Sequence, residues 1–543
     1  MFTLMEAVAA VRLYVDLPTI LVAMSTCLLT YMYLQRHKNL PPGPPTLPIL
    51  GNIPYMAWIY WKGSTFPPDT LYQLSQKYGD VMTMWVAREP YVIISGYETI
   101  REVLVRRAED FSSRKVPPAI VDTRGDGTSS KAAKGVLFAE YGHDWRQQRR
   151  FALKTLRDFG VGKRSLEGKI CEEAAALSQE LVAKDGQPFN IKHLMQNAVS
   201  NIICSIVFGK RFEYGDPEFL WLIEVLNDNV NVKPSEDLLA NIHPALRHLP
   251  FGSPEQRKLA KSTSKLQTYC RGQIETHRET FDPNDIRDFI DAFLLEQQHA
   301  GGEHAQSSFT DKQLQEIIMD LFLAGTETTA TTMCWAVLYM LLYPDVQEKA
   351  SCLFDNAQGA NPIRNICTLT CYLRVVHQEI DSVLGQAVPS YALRDKMPYT
   401  TATLAEVQRI NSAVPIGVPH SPSRTTTLNG YTIPADVSII SNIWSVHMNP
   451  QLFPEPRNFN PDRFLDQDGN FVKHEALIPF SVGPRVCLGE LLAKMELFLL
   501  YVSLMQRFTF HLPEGAPAPS PEGNMTALIN MPHPYDLCAL SRG

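Results

Sequence analysis

Positive charge is not in excess in this 543-residue sequence: 50 Lys and Arg stand against 57 Asp and Glu, for a formal net charge of -7. Phosphate backbones are held by clustered cations, so this balance argues against nucleic acid as a partner. Disulfide density is lacking too, because the ten cysteines are scattered rather than paired at short spacing. A secreted disulfide scaffold is shorter and richer in cysteine, which leaves a reducing compartment as the reading. Internal repeats are absent, and strand-like runs are few and short. No flavin- or nicotinamide-binding motif is found: Gly125-Asp126-Gly127 follows no strand and reads as a loop, not a phosphate cradle. What the chain does have is 45% apolar and 20% charged residues, enough for a sizeable globular core.

Leu17 to Leu34 runs without a charge, close to the roughly 20 residues that cross a bilayer core. It is too long for the apolar part of a cleaved signal peptide, and no small-residue cleavage site follows. Arg36, His37 and Lys38 come after it, whereas Glu6, Arg12 and Asp16 come before. The basic excess on the C-terminal side places that side in the cytosol. Reversed, the chain would expose Asn524-Met525-Thr526 as a glycan acceptor. Leu40-Pro41-Pro42-Gly43-Pro44-Pro45 is a stiff extended linker. The expected organisation is a membrane anchor over residues 1–39, a Pro-rich linker over 40–46 and one catalytic domain over 47–543.

Within that domain, Tyr141–Asp158, Ser165–Ala183, Ile191–Phe208, Leu220–Val230 and Ser253–Glu279 carry apolar residues at helical spacing. Val81–Val86, Tyr91–Ser95 and Tyr431–Ile433 are short strand candidates, so the fold class is mainly α with small β-sheets. The longest helix begins at Thr310, the head of a capping-box pattern, and stops at Tyr343-Pro344. Its apolar interior is interrupted by Ala324-Gly325-Thr326-Glu327-Thr328-Thr329. Glycine costs a helix about 1 kcal/mol relative to alanine, and a lone buried carboxylate costs several times that. A break at a functional site is therefore expected here; the plainer reading is a back-bonded threonine with Glu327 at a solvated edge.

Phe480-Ser481-Val482-Gly483-Pro484-Arg485-Val486-Cys487-Leu488-Gly489-Glu490 precedes a long helix candidate, Leu488–Phe508. Cys487 then lies in a Gly-rich loop at a helix N-terminus, where amides and the helix dipole favour a thiolate. Gly483 and Gly489 would let the backbone pass close to a flat group. Trp145 and Arg149 share a helix face, and with Arg485 and His420 they suit a carboxylate-bearing ligand. Glu406 and Arg409 are spaced to pair on a helix, and Pro461-Asp462-Arg463-Phe464 offers Glu406 a second arginine.

In this order, Trp145…Arg149, AGTETT, Glu406…Arg409, PDRF and the Phe480–Gly489 loop resemble the cytochrome P-450 superfamily. The resemblance runs from Leu17 to the C-terminus. WRQQRRFALKTLRDFG (145–160), NAVSNIICSIVFGKRF (197–212) and PFSVGPRVCLGE (479–490) are similar to the animal microsomal family-2 type. The resemblance implies a haem-thiolate monooxygenase with haem b between the long central helix and the Cys487 helix. It implies Cys487 as iron ligand and Trp145, Arg149, His420 and Arg485 as propionate partners. Phe480, Gly483, Gly489 and Ala324 complete the cofactor contacts. Glu327 and Thr328 would route protons, and Glu406, Arg409 and Arg463 would form a structural ion network. It further implies an endoplasmic reticulum location, electrons from an NADPH-dependent flavoprotein reductase with cytochrome b5 as a further partner, and a lipophilic substrate oxidised by O2. A haem-thiolate isomerase and a haem-binding chain without catalysis are the alternatives.

Pocket walls are expected from Lys115–Gly135, Phe219–Val232, Leu321–Gly325, Val414–Val418 and Ala527–Asn530. Residues 350–375 read as an insertion. Val346, Val376, Ile380 and Val383 form one amphipathic stripe when the flanks are joined. The piece between holds Gly359, Asn361-Pro362 and three cysteines, Cys352, Cys367 and Cys371, with no fourth ligand for a metal.

Overall fold

The computed structural model describes residues 39–62, 66–115, 135–230, 254–301, 308–343, 372–435, 437–526 and 528–542, together with 19–20 and 22–27. Most of the expected span over 17–34, the loop around Asp126, nearly all of the expected pocket wall over 115–135, the ends of two others (231–232 and 527) and residues 350–371 lie outside them. Among the described residues no helix is long and apolar enough to cross a membrane.

After the short apolar helix α1 (Ile53–Trp61) and α2 (Pro67–Tyr78), a hairpin of β1 (Val81–Val86) and β2 (Glu89–Ile94) opens the domain. Short helical turns follow over residues 97–111, one of them a single π-helical turn, Glu102–Arg106. Seven helices come next: α3 (His143–Asp158), α4 (Arg164–Val182), α5 (Lys192–Val207), α6 (Pro217–Val230), α7 (Pro254–Glu279), α8 (Phe289–Gly301) and α9 (Asp311–Leu342). The remainder carries α10 (Tyr372–Val383), α11 (Pro398–Ile410), β3 (Thr426–Leu428), β4 (Tyr431–Ile433) and β5 (Ser438–Ser441). The chain closes with α12 (Glu490–Arg507), β6 (Phe508–His511), β7 (Gly523–Met525), β8 (Asn530–Pro532) and β9 (Cys538–Ser541). The largest sheet has the order β1-β2-β5, antiparallel and then parallel, with Tyr91 opposite Ser438.

Helix α9 is the axis of the core, packed by α5, α7, α11 and α12. Its N-cap is the expected one, since the Thr310 hydroxyl accepts the Gln313 amide at 3.1 Å. The helix does not break at Gly325. It continues without interruption to Leu342, and the missing side chain serves packing instead: a Cβ at 325 would stand 2.7 Å from Ile203 Cδ1 of α5. Helix α10 buries Val376 and Ile380 on one face. It begins at Tyr372, so the last four residues of the segment read as an insertion are helical and continuous with Val376 and Ile380.

Candidate haem-thiolate site

The loop before α12 is built from the main chain. The Cys487 amide donates to Phe480 O at 3.0 Å and the Val486 amide to Gly483 O at 3.0 Å. Gly483 has φ +82°, and a Cβ there would collide with the Leu104 carbonyl. Its close approach is therefore to the turn at 102–106, whereas a Cβ on Gly489 would meet nothing within 4 Å. The Cys487 side chain is accessible within this loop. Burial among surrounding atoms nevertheless pushes its thiol up, against the Gly489 amide and the Arg149 charge, which pull it down. Amides and dipole alone thus do not make the thiolate expected from the sequence; a coordinating cation would deprotonate it outright.

Around this loop converge Trp145 and Arg149 of α3, Arg485, His420 and Arg114, the last unnoticed in the sequence. Arg485 donates to Ser112 O (2.9 Å), Val136 O (3.2 Å) and Ala139 O, and its guanidinium lies 4.1 Å from the Trp145 ring centroid. Arg149 donates to Val486 O, and Arg114 to Val418 O and to Pro419 O at 2.7 Å. Among the described residues no carboxylate pairs with any of these three arginines. Desolvation lowers all three: Arg114 to about 9 and Arg485 to about 8, both helped by repulsion from the neighbouring arginines, and Arg149 by burial alone. Buried cations without a counter-charge are expensive, so this cluster fits a ligand that brings two negative groups, as haem propionates do.

Two of the residues expected at the propionates have protein partners of their own. The Trp145 indole already donates to Val136 O at 3.1 Å. His420 sits 2.9 Å through Nδ1 from Phe111 O, and burial and the neighbouring arginines hold it well below its ordinary pKa. A neutral ring that donates from Nδ1 leaves Nε2 as an acceptor, so His420 does not donate to a carboxylate unless it is protonated.

On the other side, Ala324 is exposed and Thr328 half-buried in the middle of an otherwise buried α9. The Thr328 hydroxyl back-bonds to Ala324 O at 2.8 Å. Glu327 is not at a solvated edge: it is buried against α5, accepting from Gln196 Nε2 at 2.5 Å, with Lys192 Nζ at 3.6 Å. Glu327 and Thr328 are therefore neighbours in sequence whose side chains bond to different partners. Asp320, about two turns before Thr328, accepts the Val136 and Leu137 amides at 2.9 Å each. It fastens the stretch that Trp145 and Arg485 also grip. Arg409 meets Glu406 at 2.7 Å, both fully buried, and Arg463 Nε lies 3.2 Å from Glu406.

A mainly helical domain with an accessible cysteine in a main-chain loop and a cluster of arginines without carboxylate partners among the described residues is an arrangement that suits a haem-thiolate protein. Comparison with known proteins agrees, for the Cytochrome P450 family profile matches residues 41–357 and 372–539. The chain belongs to the cytochrome P450 family. Cytochrome P450 2U1 of Mus musculus is 38% identical over 96% of this chain and 95% of its own length. Cytochrome P450 2D26 of Rattus norvegicus is 40% identical over 97% and 99%. These likenesses place it with family 2, as a cytochrome P450 monooxygenase that carries haem b on a cysteine thiolate.

Proposed function

We propose that Cys487 is the thiolate ligand and that the chain oxygenates a lipophilic molecule (a fatty acid, steroid or xenobiotic) with electrons from a flavoprotein reductase. The observation that carries this reading is the cluster of Arg114, Arg149 and Arg485 beside the Cys487 loop, with no carboxylate of the described residues to neutralise it. These three arginines would hold the propionates. Bound haem supplies dioxygen activation at an iron whose thiolate pushes electron density toward oxygen.

The protein's own part is orientation and protons. Ala324 keeps the middle of α9 low enough for a flat ligand, and Thr328 Oγ1 presents a hydroxyl from the same face. Glu327, reached by Gln196 and by half-exposed Lys192, is a proton store linked toward the surface. Thr328→Ala should retain haem and substrate binding but yield several-fold less product per reducing equivalent, the rest appearing as peroxide or water. Unchanged coupling in that variant would remove Thr328 from the relay.

We further read residues 17–34 as an endoplasmic reticulum anchor with the catalytic domain cytosolic. Helix α1 supports a membrane-facing side: none of its residues is buried, and Trp58 and Trp61 are exposed. Removing residues 1–39 should turn carbonate-resistant membrane attachment into a weaker, extractable one and leave the haem spectrum intact. Full carbonate resistance of the shortened chain would show that the span is not the anchor.

Residues 350–371 are read as foreign to the working enzyme, a reading supported by the family match, which skips 358–371. Joining Lys349 to Tyr372 keeps Val346 in register with Val376 and Ile380, because the revised boundary shifts the join by about one helical turn. Deleting 350–371 should raise both thermal stability and haem occupancy, since a piece with Gly359, Asn361-Pro362 and no helical periodicity offers little packing to offset the entropy of ordering it. A deletion that lowers both would make the segment a working element.

A further inference from the structure

The β7–β8 hairpin is joined to the core through two buried amides. Asn530 opens β8 and is fully buried; Asn411 caps the end of α11 and is 2% exposed. Asn530 Nδ2 donates to Asn411 Oδ1 at 3.2 Å, and Asn411 Nδ2 donates to Tyr339 Oη at 2.8 Å. The Asn530 carbonyl accepts the Trp335 indole at 2.9 Å. Trp335 and Tyr339 are buried about one turn apart on α9, so these bonds close into a ring of four residues. Asn411 Nδ2 also reaches Pro521 O, just before β7, at 3.3 Å. Both ends of the Asn411 amide are therefore in use. Turning it over would set its nitrogen against that of Asn530, donor against donor, so the pair has one orientation.

Asn530 is wedged as well as bonded. A Cβ at Gly523, on the facing strand, would stand 1.7 Å from Asn530 Oδ1, so the glycine is what leaves room for the amide. That oxygen has no hydrogen-bond partner among the described residues. An apolar pair of the same shape would fill such an interface at no greater cost. The directional bonds therefore point to placement rather than to filling.

What the ring places follows from its neighbours. The Asn530 amide donates to Ala413 O at 2.9 Å, which sets the hairpin beside residues 413–418. There Val414, Ile416 and Val418 keep part of their surface open between buried Pro415 and Gly417, and Arg114 of the arginine cluster holds Val418 O. Leu528, two residues before Asn530, is partly open as well. Trp335 lies about two turns beyond Thr328 on α9.

We propose that the Asn411–Asn530 pair holds the hairpin against residues 413–418 and α9, and thereby limits the size of ligand that fits over the Ala324–Thr328 face. Both are positioning residues, since their amide nitrogens are spent on protein partners. The role rests on reading Val414–Val418 and Ala527–Asn530 as walls of the substrate space and Cys487 as the iron ligand.

Azoles test this without a known substrate, because their nitrogen binds haem iron while the rest of the molecule fills the space beside it. The ferric holoprotein is titrated spectrally with imidazole and with a biphenyl-substituted imidazole. Asn411→Ala and Asn530→Ala should bind imidazole within about twofold of wild type, and the biphenyl compound about fivefold tighter or more. A smaller shift, or one against the larger ligand, means that the ring holds the fold and not the size of the space, and overturns the proposal. Tyr339→Phe removes only the hydroxyl that Asn411 reaches and should give the same shift, which covers the case in which the alanine variants fail to fold. Val414→Phe examines the wall reading: it should weaken the biphenyl compound and spare imidazole. No effect of that change would show that 414–418 is not a wall, and a wild type without any azole spectrum would sink the haem reading. Either result takes the proposal down with the reading beneath it. A responsive Val414→Phe beside unresponsive asparagine variants condemns the proposal alone.

Discussion

Cys487→Ala should abolish the red-shifted Soret band of the reduced, carbon monoxide-bound protein, and Cys538→Ala should leave it intact. Among the described thiols, Cys204, Cys270 and Cys334 are buried, and burial raises the pKa of Cys204 and Cys334, the latter to about 12. Cys538 lies in β9, paired with His511 of β6. Cys487 alone combines accessibility with the Gly489 amide and a nearby Arg149 charge, both of which favour its anion. A histidine-type spectrum from the well-folded wild type would sink the ligand assignment.

Glu406→Gln should be the most destabilising of the conservative changes in the structural network. Glu406 and Arg409 are both fully buried, and Arg463 and the Asn460 amide also converge on Glu406. Removing one charge strands another in a medium that cannot solvate it, at about 3–5 kcal/mol. The denaturant midpoint should shift accordingly, and less holoprotein should accumulate. Arg463→Gln should cost less, because Arg463 keeps 10% of its side-chain surface in solvent. Equal losses from the two changes would mean that burial does not set the ranking.

The parts of the molecule governed by local rules were legible in the sequence. The Thr310 cap, the end of α9 at Tyr343, β1 and β4, and the Glu406–Arg409 spacing all depend on residues a few positions apart. What was missed depends on contacts across the chain. Gly325 read as a helix break because Ile203, which fits against it, lies on another helix. Arg114 went unremarked because its place beside Arg149 and Arg485 comes from the fold, and Phe111-Ser112-Ser113-Arg114 carries no spacing of its own. That the indole of Trp145 bonds Val136 O could not be read locally either, because that loop is held in place by distant Asp320, Gln313 and Arg485.

The arginine cluster is wired almost entirely to main chain: Arg114 to Val418 and Pro419, Arg149 to Val486, Arg485 to Ser112, Val136 and Ala139. A carbonyl is the same whatever side chain it carries. Mutational tolerance around the centre is therefore one-sided, because the reaching arginines are confined while the residues they grip are free to vary. Substitution of a gripped residue leaves the carbonyl that the arginine holds in place.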